Sequence, residues 1–382
     1  SARQSEHVIQ DLPAGVSNAI FGDAPLARGD RVPDFLLPDA SGAGKFLYVE
    51  ARGKPIVVFL ARTLSAGTAR AQLGDFARFG AGEEARAHCL AITEEDPAAL
   101  AGLEEVERFP GTVLIDRHGV SAQAFGLPWE RLGQGTRTYV LDPNQRVLAV
   151  YDEQCADPAA QAFDLVAGLQ LFAASIQPRD IAPVLMIPRV FEPELCTRLI
   201  EIFHERGARE TGTVTNRDGK MVLGVDHAMK KRFDHIIDDR ELLEAIHWRF
   251  ARRVTPEIRK AFRYRIVEAE GFRIACYRAE ERGYFRPHRD DVSPEVAHRC
   301  FAVSLNLNQD YEGGALRFPE YGKHVYKPEA GEAIIFSCSM LHEAMDVTAG
   351  ERFVLLGFLL GAEGVQARES LRRRMATGPG GG

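Results

Sequence analysis

His288 and Asp290 stand two residues apart in GYFRPHRDD, and His342 follows 54 residues after His288 in AIIFSCSMLHEA. On an extended strand, residues i and i+2 point to the same face, so the HxD pair can share one ion. His342 enters where a second apolar, strand-like run ends, which lets it supply a third ligand. Two imidazoles and one carboxylate on one face of an octahedral ion leave three positions open, the ligand set of non-haem iron(II) chemistry with oxygen. A chelating keto acid can occupy two of those positions and oxygen the third. HxD alone is weak evidence, because histidine and aspartate are ordinary surface residues and the pattern recurs by chance. Its weight comes from the distal histidine and from Arg352, ten residues further on at the head of the apolar run FVLLGFLL. A planar guanidinium holds a carboxylate through two parallel hydrogen bonds, and a partly buried one needs an anionic partner.

These residues need a rigid frame. FRIACY, CFAVSLNLN, ALRFP, KHVYKP, AIIFS and RFVLLGFLL are short, rich in β-branched and aromatic residues, and separated by glycine, proline and acidic turns. That pattern predicts a sandwich or jelly roll. Ahead of it, VLMIPRVF reads as a short strand, and a helix begins near Pro193 with Leu195, Leu199, Ile200 and Phe203 on one side. The polar, glycine-bearing stretch from Gly207 to Lys231 has no clear period and is expected to be a loop, a candidate lid whose positive face includes Arg217, Lys220, Lys230 and Lys231.

Between Val32 and Leu171 the order differs. IVVFLA, HCLAIT and TVLID are strand-like, TARAQLGDFARF and PAALAGLEEVERF helical, which is an α/β alternation. TYVLD and RVLAVYD then read as a β-hairpin, followed by a helix from about Pro158 to Phe172, and SIQPRDIAP as a linker. Two domains are therefore expected, residues 26–172 and 182–362, in keeping with 382 residues and a prior of ~150 per domain. Apolar residues make up 45% and the net charge is −7, so nothing pulls the chain towards nucleic acid or anionic membrane. Phe353 to Ala362 is half the length of a membrane span, and the polar start lacks a signal-peptide core, so a cytoplasmic location is expected. Six scattered cysteines with no CxxC pair are expected to be reduced packing thiols.

From about Ala182 to Leu360 the sequence resembles the prolyl 4-hydroxylase-like branch of the 2-oxoglutarate and iron(II) dioxygenase superfamily. APVLMIPRVFEPELCTRLIE, FRIACYRAEERGYFRPHRD, SLNLNQDYEGGALRFP and GEAIIFSCSMLHEAMDVTAGERFVLLGFL carry the resemblance. It implies a double-stranded β-helix of α+β class that hydroxylates an unactivated C–H bond in an amino-acid, peptide or related small substrate. Fe(II), 2-oxoglutarate as co-substrate and O2 are implied, with ascorbate as an accessory reductant. His288, Asp290 and His342 match the ligand positions, and Arg352 the residue that binds the far carboxylate of 2-oxoglutarate. The resemblance implies a co-substrate tyrosine here, Tyr277 or, because AEERG lengthens the spacing, Tyr284. Arg352 in place of the lysine of collagen-type enzymes, and Asn306 where they have a tyrosine, weaken proline as the substrate. Asp290 argues against halogenation, for which a small residue replaces the carboxylate.

GDRVPDFLLPDASG, GKPIVVFLA and TYVLDPNQRVLAVYD resemble the peroxiredoxin-like branch of the thioredoxin fold. That branch needs a low-pKa cysteine at the N-terminus of the helix after the first central strand, where dipole and charge stabilise a thiolate. Thr68 stands there, and neither Cys89 nor Cys155 has the helix-start position. The domain is expected to be a degenerate redoxin for docking, substrate presentation or homodimer formation. Two alternatives remain: a redoxin-type peroxidase, and a non-catalytic two-domain binding scaffold.

Overall fold

A computed structural model describes residues 24–51, 53–81, 86–169, 181–217 and 220–376, in two compact units, Ser1–Ser175 and Ile176–Gly382. Most of the expected linker, up to residue 180, and the expected end of its preceding helix lie outside the described residues.

In the first unit IVVFLA forms the strand Ile56–Ala61, buried at every position because the sheet is covered on both faces. Among the described residues the sheet order is Thr112–Ile115, His88–Thr93, Ile56–Ala61, Thr136–Leu141, Val147–Asp152. The first two pairings are parallel and the last two antiparallel, the last being the expected hairpin. Val58 and Leu60 face one apolar cluster, Val57 and Phe59 the other, as the two-residue side-chain period requires. The single helix expected across PAALAGLEEVERF is instead two short ones, Pro97–Leu100 and Glu104–Glu107. Gly102 between them takes φ +75°, which ends the first turn.

The second unit is a sandwich of antiparallel sheets. Among the described residues the larger runs Leu185–Ile187, Ala333–Ser337, Phe301–Asn306, Glu351–Leu360, Glu268–Arg278, Phe233–Ile236, Arg209–Glu210. The smaller runs Lys230–Lys231, Tyr284–His288, His342–Ala344, Leu316–Arg317, Val325–Tyr326. Alternation divides the work of the long strands. Ile274, Cys276 and Leu355 turn outward into a core shared with helices, whereas Ala275, Tyr277 and Val354 turn inward towards Leu316, Phe318 and Phe336. Each valine, leucine, isoleucine or phenylalanine among them that is fully withdrawn from water stabilises the fold by ~1.5–3 kcal/mol.

Two helices, Arg240–Arg253 and Thr255–Phe262, break the expectation of a mostly stranded remainder. Asp239 caps the first by accepting from the Leu242 amide at 3.0 Å, and Ile246, Phe250, Val254 and Ile258 complete the outer core beside Leu199 and Phe203 of Pro193–Arg206. The stretch expected to be a loop also carries structure. Thr213–Arg217 and Lys220–Gly224 pair as a hairpin, with residues 218–219 outside the described residues, and Lys230–Lys231 pairs with the HxD strand. Lys231 is tied to Glu210 and Glu281 at 3.1 and 2.8 Å, so it supplies no free charge to a lid.

Candidate metal centre

The smaller sheet brings the three predicted ligands together. His288 ends the strand Tyr284–His288 and His342 begins the antiparallel strand His342–Ala344, and the two are direct cross-strand partners. Their rings lie 4.3 Å apart between centroids. Asp290 is drawn beside them because its amide donates to the Cys338 carbonyl at 2.9 Å, just past the end of the neighbouring strand. One carboxylate oxygen lies 3.5 Å from His288 Nε2 and the other 3.5 Å from His342 Nε2. Ligand atoms from all three residues fall within 4.8 Å of one another.

The tautomers follow from elementary bonding. Nδ1 of His288 is 2.8 Å from the Arg286 carbonyl and Nδ1 of His342 is 3.0 Å from the Met340 carbonyl. A carbonyl only accepts, so each Nδ1 carries the proton and each Nε2 presents its lone pair to the centre. Burial pushes His342 down to about 4, which keeps that ring neutral. Burial opposes ionisation of Asp290, yet its charged surroundings, Arg299 among them, hold the carboxyl below its ordinary value. Two neutral nitrogen donors and an anionic oxygen are a donor set that fits a divalent iron, zinc or manganese ion.

Beside this cluster is a cavity of ≈ 200 Å³ between the two sheets. Arg352 enters from the larger sheet, 1% exposed. Its Nε and Nη2 donate to Asn306 Oδ1 at 3.3 and 3.1 Å, and Nη2 also to Ser304 Oγ at 3.3 Å. Among the described residues no carboxylate pairs with it. Asn306 is itself held, donating to the Tyr311 hydroxyl at 2.6 Å and the Pro328 carbonyl at 2.8 Å. A guanidinium buried among neutral acceptors is chemically able to hold an incoming carboxylate.

Tyr277 is the cross-strand partner of Arg352, is buried and lines the cavity. Tyr284 instead donates its hydroxyl to the His227 carbonyl away from the cavity, so of the two candidate tyrosines Tyr277 faces the site. Basic residues that sequence reasoning missed share the wall. Arg232 binds Asp234 through two contacts of 2.7 and 2.8 Å and reaches the Tyr277 hydroxyl at 3.4 Å. Arg273 and Arg299 sit further along. Parity could have flagged Arg273, four residues before Tyr277 on one strand; nothing in the sequence singles out Arg232 or Arg299.

Thr68, in the first unit, is exposed in the first turn of the helix Gly67–Phe79 that follows the central strand. Cys89 is buried within the strand His88–Thr93, and all six cysteines are free.

Comparison with known proteins finds a family model in each unit. Residues 272–360 match the 2OG-Fe(II) oxygenase superfamily and residues 28–150 the AhpC/TSA family. A protein named as a peroxiredoxin in Mycobacterium tuberculosis is 32% identical over 136 residues, covering 34% of this chain and 87% of that one. A PKHD-type hydroxylase of Acaryochloris marina is 39% identical over 85 residues, 22% of this chain and 36% of its own. A crystal structure of a Pseudomonas putida prolyl-4-hydroxylase covers 47% of this chain and 93% of its own, at 18% identity and TM-score 0.35. The chain spans 66% of the peroxiredoxin Q of Gentiana triflora and 12% of a Caenorhabditis elegans procollagen lysine hydroxylase and glycosyltransferase. The chain therefore belongs, over residues 28–150, to the AhpC/TSA family, while residues 272–360 match the model of the 2OG-Fe(II) oxygenase superfamily.

Proposed function

We propose that the second unit is an Fe(II)- and 2-oxoglutarate-dependent hydroxylase acting on an amino-acid, peptide or related small substrate. The observation that carries this reading is one cavity holding a two-histidine-one-carboxylate cluster on one wall and a buried guanidinium without a carboxylate partner on the other. His288, Asp290 and His342 would hold the metal, and Arg352 the far carboxylate of the keto acid. When bound, iron(II) would let O2 act as the oxidant, one oxygen atom going into the C–H bond and the other into succinate as 2-oxoglutarate is oxidised with loss of carbon dioxide.

The chain's own residues set the conditions for that chemistry. The carbonyls of Arg286 and Met340 fix both imidazoles by accepting from Nδ1, so each ring is oriented before any ligand arrives. Arg352, anchored by Asn306, orients the co-substrate; the Tyr277 hydroxyl stands beside it, steadied by Arg232. Phe285 stacks on His288 and Phe336 packs against His342, keeping water from the ligand faces. The redoxin-like unit, with Thr68 at the helix start, serves as a docking or self-association module on this reading, since a hydroxyl cannot replace a peroxidatic thiolate.

Anaerobic addition of Fe(II) and 2-oxoglutarate to the full chain tests the proposal. A weak visible charge-transfer band should appear, and admitting oxygen should yield uncoupled succinate. Folded protein that gives neither signal would overturn the assignment.

A further inference from the structure

The cavity is charged beyond what its co-substrate requires. Lys230, Arg232, Arg273, Arg299 and Arg352 line it against a single lining carboxylate, Asp290. The acids behind the wall are shared. Asp234 is taken up by Arg232 and by the Thr211 hydroxyl at 2.7 Å, and lies 3.8 Å from Arg273. Glu270 serves Arg299 at 3.1 Å and also His298 and Arg368, each at 2.9 Å. Arg273 is otherwise held by the Gly271 carbonyl at 3.1 Å, a neutral acceptor.

The basic residues form two groups along the strands. Arg352 and Phe358 lie six residues apart on the same inward face of Glu351–Leu360, about 20 Å at ~3.3 Å per residue. Arg352, Tyr277 and Asn306 mark one end. At the other, Arg273 and Arg299 flank the Phe358 ring, their guanidinium carbons 5.9 and 3.7 Å from its centroid. Arg273 and Arg299 line the same cavity as His288, Asp290 and His342, which puts this second group within reach of the metal cluster too. A keto acid held by Arg352 spans only the first end.

We propose that Arg273 and Arg299, flanking Phe358, form a carboxylate subsite for the primary substrate, which is thereby a carboxylate-bearing amino acid or peptide. The proposal rests on the hydroxylase reading and deepens it. Binding there needs no proton transfer: the substrate carboxylate accepts N–H bonds from guanidinium groups that now face acids already shared, while its apolar part rests on Phe358 and is turned towards the metal cluster.

The test uses the full chain loaded with Mn(II) and saturated with 2-oxoglutarate, so that Arg352 is occupied. The probe is para-fluorobenzoate, with para-fluorobenzamide as its neutral counterpart and Zn(II) as the diamagnetic reference, read by fluorine NMR line width. The acid should bind saturably with extra broadening from Mn(II), the amide should not, and Arg273→Gln and Arg299→Gln should each raise the acid's Kd by about tenfold or more. Arg299→Gln also disturbs the Glu270 cluster, so Arg273→Gln, which leaves that cluster intact, decides the matter. Equal binding of acid and amide, no Mn(II)-specific broadening, or an unchanged Kd in Arg273→Gln overturns the subsite. Loss of 2-oxoglutarate affinity in Arg273→Gln also overturns it, because the arginine would then hold the co-substrate. Failure of 2-oxoglutarate to bind the wild-type, metal-loaded chain sinks the hydroxylase reading itself and is measured separately.

Discussion

Replacing Arg352 with methionine keeps most of the side-chain volume and removes the charge. The guanidinium is almost wholly buried and its partners are neutral oxygens of Asn306 and Ser304. A buried cation without a counter-ion is costly, so its removal relieves desolvation; the same change deprives Asn306 Oδ1 of its donors, which costs ~1–3 kcal/mol. These terms oppose each other at similar size, and Asn306 stays anchored through Tyr311 and Pro328, so the ligand-free melting temperature should move little. Ligand binding is different. Loss of a two-pronged, charge-assisted contact to a carboxylate in a closed site costs ~2–5 kcal/mol, which is roughly 30-fold to 4,000-fold in Kd. Calorimetric titration of 2-oxoglutarate into anaerobic, Fe(II)-loaded protein reads this directly. Thermal unfolding gives a second readout, since a ligand that binds only the folded state raises its stability and that rise should vanish in the variant. Bound metal, measured by elemental analysis, should be unchanged. A Kd within threefold of wild type would refute the assignment of Arg352 to the co-substrate.

Asp290→Ala and His342→Ala should each strip metal from the dialysed protein and abolish the visible band, because two remaining ligands hold a divalent ion poorly; stoichiometric metal in either variant contradicts the ligand set. Glu270 is half-buried, which opposes its ionisation, yet Arg368, His298 and Arg299 hold it down to about 2. Its folded value lies below its ordinary 4.5, so the stabilisation is present above that pH and lost as pH falls towards 2. Glu270→Gln should flatten this acid limb in urea midpoints measured across it, and an unaltered limb would count against the cluster. Gly314 takes φ +61°, and a Cβ there would meet Val347 at 2.8 Å and the Arg352 Cδ at 3.1 Å, so Gly314→Ala should weaken 2-oxoglutarate binding while leaving metal content intact. With Thr68 at the helix start, the purified chain should show no thiol-dependent turnover of hydrogen peroxide; robust turnover lost on mutating Cys89 or Cys155 would show the nucleophile to lie elsewhere.

Much of the architecture was legible where local pattern and tertiary demand agree. IVVFLA could be read as a buried central strand because a six-residue apolar run bounded by polar turns has few other uses. HxD could be read as one shared site from its spacing, although the strand ends at His288 and Asp290 is placed by its amide bond to the Cys338 carbonyl; the distal histidine was legible because it follows a buried strand. What was missed depends on partners far off in sequence. RELLEAIHWRFARR keeps its apolar positions sparse among charges, and Arg252 and Arg253 are buried within the fold, Arg253 through Glu192 at 2.8 Å, an outcome no window of sequence contains. The hairpin within the expected loop is likewise a matter of pairing rather than of apolar period. Arg232 and Arg299 look like surface charges until Asp234 and Glu270 are seen to face them.

His288, Asp290 and His342 hang from the smaller sheet and Arg352 from the larger, with Phe336 of the larger sheet packed on His342 at 4.6 Å between ring centroids. The separation between metal site and guanidinium is therefore set by how closely two sheets stack, and Phe336 is the shim. If the keto acid binds as proposed, that gap would measure it as a calliper does: one carbon fewer would leave its far carboxylate short of Arg352, and one more would force it to buckle. On that assignment the fold would grade dicarboxylates by length through a side chain that touches neither of their carboxylates, and trimming the shim to leucine should shift the preferred chain length before it alters the chemistry.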